Sequence, residues 1–175
     1  MSIVAPERVW WKPLGRDERL WVWVSLAWCL VLFAGMIVWH LVGQQTTPRE
    51  TYAVAPERYT QMTNDFINKY KVREDRGMPV VRPPAGGDAY LQASTYQWSP
   101  ILELKKGQTY RIHLSSRDFQ HGFSLQPQNY NFQVLPGYSY VIKLTPQEAG
   151  EFTIVCNEYC GLGHHLMVGK LIVTE

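Results

Sequence analysis

At 175 residues the chain has room for one membrane anchor and one domain of ordinary size. Seventeen Lys and Arg against fifteen Asp and Glu leave a formal net charge of +2, and no nucleic-acid partner is expected. No general base, nucleophile or substrate-pocket pattern is visible, so no catalytic residue for a bond-making step is expected in this chain.

Residues 1–19 carry Arg8, Lys12, Arg16 and Arg19 and precede an uncharged run, Leu20 to Val42, in which only Ser25 and His40 are strongly polar. At 1.5 Å per residue the run reaches about 34 Å, enough for a bilayer core. A signal peptide would have a shorter apolar stretch and a small-residue cleavage site. The first twenty residues after the run hold only Arg49 and Arg58, so the positive-inside rule places the N-terminus in the cytoplasm and the rest outside. Trp21, Trp23 and Trp39 sit near the two ends, where interfacial tryptophans belong. The expectation is a single-pass protein of a prokaryotic plasma membrane, its C-terminal domain periplasmic or extracellular.

Residues 43–88 read as a linker with an amphipathic helix over Glu57 to Lys71, since Tyr59, Met62, Phe66, Ile67 and Tyr70 fall at helical spacing. Lys69, Lys71, Arg73, Arg76 and Arg82, interrupted by Glu74 and Asp75, read as a solvated basic stretch. Pro83-Pro84-Ala85-Gly86-Gly87 reads as a boundary.

From residue 89 to 175 the pattern turns to period two. Tyr110, Ile112 and Leu114 alternate with Arg111 and His113, which places His113 on a solvent face. Tyr138, Tyr140, Ile142 and Leu144 repeat the pattern, as do Phe152 and Ile154, and Lys170 to Thr174 closes the chain. Turn signals at Lys106-Gly107, Pro136-Gly137 and Pro146 to Gly150 separate these runs. Several short strands at such spacing argue an all-β sandwich.

Cys156-Asn157-Glu158-Tyr159-Cys160-Gly161-Leu162-Gly163-His164-His165-Leu166-Met167 gathers two thiols, imidazoles and a thioether, with His121 upstream. Thiolate plus thioether is a soft donor set that favours copper over magnesium, calcium or manganese. A structural zinc site would want two more Cys or His ligands and no methionine. A mononuclear blue-copper site has one thiolate fewer. Two cysteines can instead bridge two coppers, with one histidine terminal on each, and with Met167 and a loop carbonyl in weak axial positions. A disulfide between Cys156 and Cys160 is the alternative in an oxidising compartment. Cys29 lies in the apolar run and reads as a small packing residue.

The segment C-N-E-Y-C-G-L-G-H-H-L-M, preceded by D-F-Q-H-G-F at 118–123, resembles the dinuclear CuA site of cytochrome c oxidase subunit II, in its short form with one membrane helix as in ba3-type oxidases. The resemblance covers the anchor and residues from about 89 to the end. It implies a cupredoxin-like Greek-key β-sandwich whose last interstrand loop, bracketed by Val155 and Val168, carries most ligands. It implies His121, Cys156, Cys160, His164 and Met167 as side-chain ligands and Glu158 through its backbone carbonyl. His164 rather than His165 is the family's ligand position. The Glu158 carboxylate would also hold magnesium at the contact with the large subunit, a role many ba3-type chains lose through a glutamine there. Asp118, three residues before His121, orients the ligand loop or is an ordinary turn aspartate, and Tyr96 and Trp98 lie near the electron entrance of the family or belong to the core.

The resemblance further implies an electron-input subunit. Cytochrome c or a small copper protein gives an electron at the copper centre, and haem in the large subunit, subunit I, receives it for reduction of O₂. A CuA-containing nitric oxide reductase would use almost the same subunit. A membrane-tethered copper carrier is a rival from another class, disfavoured by five side-chain ligands on a rigid sandwich. From Ala89 to Glu175 six Lys and Arg face six Asp and Glu, so a more apolar docking face, or a donor already bound in the complex, is expected rather than strong electrostatic steering.

Overall fold

The computed structural model describes residues 13–43 and 46–175, so Arg8 and Lys12 of the charge argument lie outside the described residues. The chain divides into two compact units, and the first holds the helix α1 (Arg16–Val42). Over 27 residues α1 is long and apolar enough to cross a membrane, and none of its residues is buried in the protein.

The second unit runs from Thr46 to Glu175. In chain order it contains β1 (Glu50–Ala53), α2 (Pro56–Tyr70), β2 (Lys71–Asp75), β3 (Met78–Val81), β4 (Asp88–Ser94), β5 (Gln97–Ser99), β6 (Ile101–Lys105), β7 (Tyr110–Ser116), β8 (His121–Leu125), β9 (Tyr130–Val134), β10 (Tyr138–Leu144), β11 (Gly150–Val155) and β12 (Val168–Thr174). One sheet has the order β1-β10-β7-β4-β5 and the other β2-β3-β6-β12-β11-β8-β9. Pairing is antiparallel except for β4 with β7, β6 with β12 and β3 with β6.

The two-residue alternation decides which side chains form the core. Ile112 and Leu114 from β7, with Ile142 and Leu144 from β10, meet Leu102 and Leu104 from β6 and Leu171 and Val173 from β12. All are buried. This is the all-β sandwich expected from the strand spacing.

Residues 43–88 hold more than the expected linker and helix. α2 begins at Pro56, one residue before the expected start, where a missing N–H costs nothing. It packs on β4, β7 and β3. Its Tyr59 hydroxyl donates to the carbonyls of His113 (2.7 Å) and Leu91 (3.2 Å). β1 adds an antiparallel edge to β10, and β2–β3 extends the other sheet beyond β6.

This added layer corrects the placement of His113. The ring does alternate away from the core, but α2 packs on that outer face and Tyr52 of the edge strand β1 reaches across it. His113 is therefore buried, with Nδ1 3.0 Å from the Tyr52 hydroxyl, Nε2 3.1 Å from Asp88 Oδ1 and its ring stacked on Tyr90. The basic stretch is not merely solvated either. Arg73 and Arg82, each about half exposed, both donate to the buried carboxylate of Glu103 on β6. Lys170 on β12 reaches Asp75 at 2.8 Å and Glu151 at 3.2 Å. Of these, Arg73–Glu103 and Asp75–Lys170 fasten the β2–β3 hairpin to the sandwich.

Burial works against the Glu103 charge, but the two guanidinium groups outweigh it and hold the carboxyl below its ordinary value of 4.5. A depressed carboxylate contributes stability that is fully present above its unfolded value and disappears as pH falls through the folded one. Glu103→Gln should therefore cost about 2 kcal/mol in urea unfolding at pH 7. The difference between the two proteins should shrink as pH is lowered from about 4.5 downward; a constant difference there would show that charge is not its source.

Candidate metal centre

The segment 156–167 is the connection between β11 and β12. Their antiparallel ladder ends at the Val155 and Val168 pair. One further bond, Cys156 N–H to the Met167 carbonyl (3.1 Å), closes the base of the loop and sets its first and last sulfur-bearing residues side by side. Within the loop, a 3₁₀ turn at His164–Leu166 follows Gly163. The N–H groups of His164 and Leu166 donate to the carbonyls of Gly161 (3.1 Å) and Gly163 (2.9 Å).

This backbone brings all six expected site residues to one place. The sulfurs of Cys156 and Cys160 lie 3.8 Å apart. Nδ1 of His121, at the start of β8, is 3.9 Å from Cys156 Sγ. Nδ1 of His164 is 3.7 Å from Cys160 Sγ, and Met167 Sδ is 3.8 Å from the same sulfur. The Glu158 carbonyl oxygen lies 3.3 Å from Cys156 Sγ. His121, Cys156 and Cys160 form a group whose ligand atoms all fall within 4.8 Å of one another; His164 stands outside that group, beside Cys160. One imidazole thus serves each sulfur.

The two adjacent histidines diverge, as neighbouring side chains must on a 3₁₀ turn. His164 is half-buried against the thiols, while His165 is exposed. Met167, Cys156 and His121 are buried.

Asp118 is the orienting residue rather than an ordinary turn aspartate. Its Oδ1 lies 2.8 Å from His121 Nε2, which leaves Nδ1 free to face Cys156. Its other oxygen accepts the Thr95 N–H (2.7 Å) and the Thr95 hydroxyl. Burial opposes its charge, yet the bonds from His121, Thr95 and the Phe119 N–H hold the carboxyl well below the usual carboxylate range. Cys160 behaves in the opposite way. Burial, then the Cys156 thiol and the Asp118 charge, push its thiol up to about 11. At neutral pH this thiol keeps its proton until a cation displaces it.

Two thiols, two imidazole nitrogens, a thioether and a carbonyl within this small volume suit a soft, redox-active metal such as copper, and the thioether argues against structural zinc. Thr95 is the residue that sequence reasoning missed. It meets Asp118 across 23 residues of chain, and nothing local marks it.

A Greek-key sandwich with Cys, His and Met on its last interstrand loop defines a cupredoxin-type domain, here carried behind an apolar helix. Rusticyanin from Thiobacillus ferrooxidans shares this fold, at 16% identity and a TM-score of 0.55 over 71% of this chain and 97% of that one. A chain of a heme-copper terminal oxidase dimer shares it at 22% identity, with a TM-score of 0.58 over 91% of this chain and 100% of that one. No family model matches the sequence. Cytochrome c oxidase subunit 2 of Thermus thermophilus is 41% identical over 161 residues, 90% of this chain and 92% of that protein. The chain belongs to the cytochrome c oxidase subunit 2 family.

Asp118→Ala should weaken copper binding about 10- to 100-fold in a chelator competition on the full chain, because His121 loses the partner that aims it. His164→Ala should lower the bound copper at a fixed chelator concentration, and His165→Ala should leave it unchanged. Equal losses from the two histidine variants would show that the loop presents both rings.

Proposed function

We propose that this chain is the electron-input subunit of a membrane haem-copper terminal oxidase. It accepts single electrons from cytochrome c or a small copper protein at a dinuclear copper (CuA) centre and passes them to haem in the large subunit, where O₂ is reduced. The observation that carries this reading is the pair of sulfurs 3.8 Å apart with one imidazole nitrogen beside each. A mononuclear site has no use for the second thiol, and a carrier that must release its metal has no use for so many buried donors.

Cys156, Cys160, His121, His164, Met167 and the Glu158 carbonyl would together hold two copper ions, with one imidazole beside each of the two sulfurs. Copper, when bound there, supplies one-electron redox chemistry shared over two ions. The residues do the rest. Asp118 fixes the tautomer and direction of His121, and the sandwich buries His121, Cys156 and Met167 away from water. A rigid donor set moves little when charge arrives, which suits a relay. The half-buried Glu158 side chain would give an oxygen to magnesium at the contact with the large subunit, which would provide the remaining oxygens.

Docking of the donor is read as mainly apolar. Phe119, Tyr159, Leu162 and Leu166, from 60% to 90% exposed, surround the site. The charge of the residues from 89 to 175 is balanced and offers little long-range steering. α1 serves as a single-pass anchor, with the N-terminus cytoplasmic and the domain on the opposite side.

Two experiments bear on this. In the copper-loaded full chain, the electron-spin spectrum should show hyperfine splitting from two coppers sharing one electron. Cys156→Ser and Cys160→Ser should each abolish it, and survival in either variant would remove the bridging role. The complex purified through this chain and fed an artificial reductant should consume O₂ rapidly and NO little. Fast NO loss with negligible O₂ uptake would make the parent enzyme a nitric oxide reductase.

A further inference from the structure

β4 and β5 form a hairpin in which Ser94 pairs with Gln97, so Thr95 and Tyr96 are its two-residue turn. These two neighbours in sequence touch opposite ends of the donor set. Thr95 gives its N–H and its hydroxyl to one oxygen of Asp118, whose other oxygen holds His121. Tyr96 lies on the ligand loop itself. A Cβ added to Gly163 would overlap the Tyr96 ring, and one added to Gly161 would sit 2.6 Å from the Tyr96 hydroxyl oxygen. Gly161 also has φ +131°, a conformation that L side chains rarely adopt.

The backbone under Tyr96 has a specific task. The carbonyls of Gly161 and Gly163 accept the first N–H groups of the turn that presents His164 to Cys160. The ring therefore bears on the stem of one imidazole while Thr95, one residue before it, fixes the other through Asp118. Further along the hairpin, Trp98 packs against Gly169 on β12, where an added Cβ would come within 2.6 Å of the Trp98 Cβ. Its indole ring lies 6.4 Å from the His121 ring, centre to centre. The hairpin spans the site from one imidazole to the other and continues onto the strand that follows Met167.

We propose that the Thr95–Tyr96 turn is a shared positioning element for both halves of the metal centre, setting the His121 and His164 ends relative to each other. It does not touch the donors as a ligand would. It acts on His121 through Asp118, and on His164 through the backbone of Gly161 and Gly163. Held by one rigid turn, the two imidazole nitrogens cannot shift independently, and that symmetry is what equal sharing of an electron between two coppers requires. The sharing rests on the dinuclear reading given above; the mechanical coupling of the two ends does not.

The test uses the full chain in detergent, with Thr95→Val, Tyr96→Leu, Tyr96→Phe and the Thr95→Val/Tyr96→Leu double variant. Copper(I) affinity is read by chelator competition, sharing by electron-spin hyperfine splitting, and folding by melting of the metal-free chain. Tyr96→Phe keeps the ring on Gly163 and loses only the hydroxyl over Gly161, so it should fall between the unaltered chain and Tyr96→Leu. Thr95→Val and Tyr96→Leu should each weaken copper binding about tenfold, the lower end of what outer-sphere partners contribute. The double variant should lose less than the product of the two single losses, because either change already frees one end from the other. Tyr96→Leu should also make the two copper hyperfine couplings unequal.

Multiplicative losses in the double variant, or a Tyr96→Leu chain with unaltered affinity and splitting, would overturn the proposal. A lower melting temperature with unchanged copper readouts would do the same, leaving the turn a merely structural element. Should Tyr96→Leu not fold, Gly163→Ala displaces the same ring from the other side, and its cycle with Thr95→Val tests the coupling by the same criterion. An unaltered chain without a two-copper spectrum would refute the dinuclear reading alone, and the affinity cycle would still decide the coupling.

Discussion

The centre depends on one backbone bond, from the Cys156 N–H to the Met167 carbonyl. It continues the β11–β12 ladder one step past its last pair and so pins both ends of the ligand loop at a fixed separation. The remaining loop residues must then turn back over the ladder's end, which carries Cys160 and His164 inward. The pin is firm because β12 lies inside its sheet, between β6 and β11, with Leu171 and Val173 in the core. Gathering donors spread from residue 121 to residue 167 in a flexible chain would cost conformational entropy at every binding event. Here folding has already met that cost.

What folding gathers is electrostatically uncomfortable without a cation. Asp118 is held ionised by Thr95 and His121, and its charge helps keep the nearby Cys160 thiol protonated. Two sulfurs, a carbonyl and a carboxylate share one small region, and among the described residues no Lys or Arg is bonded to them. Donors gathered in this way gain further when a positive charge joins them. A cation that displaces the thiol proton turns the mutual repulsion of the donors into attraction, which links metal affinity to pH and to the rigidity of the loop. The folded site is thus prepared for a metal before one arrives.

The sequence revealed the chemistry more fully than the architecture. The donors lie within one loop and one strand start, so their spacing is legible, and the alternating runs at 110–114, 138–144 and 170–174 mark β7, β10 and β12. The span from Leu20 to Val42 is equally plain, because length and lack of charge suffice. Hidden were the contacts made by distant residues. β1 and the β2–β3 hairpin have little alternation of their own and become strands because β10 and β6 offer unpaired edges. His113 reads as a surface residue until α2 is known to lie on that face. Glu103, within the apolar run Ile101 to Leu104, is explained only by Arg73 and Arg82 arriving from another strand pair. Asp118 could be seen as a candidate orienting residue, but Thr95, which holds it, could not.

The extra layer from residues 46 to 81 also decides what the domain leaves uncovered. α2 closes over the outer face of β4 and β7, β1 extends that sheet beyond β10, and β2–β3 presents charged side chains at the far edge of the other sheet. Among the described residues of this unit, the large apolar groups that stay exposed include Tyr159, Leu162 and Leu166 on the ligand loop, Val155 and Val168 at its base, and Phe119 beside His121. Such surface is costly to leave in water, and a patch of this kind marks a contact site. Its position matters for an electron relay, because apolar surfaces meet without a layer of ordered water between them. A redox partner seated on this rim approaches the donors as closely as the loop itself allows. The outer face of β4 and β7 is taken up by the chain's own helix, and among the described residues of this unit most of the exposed large apolar side chains lie at the metal end.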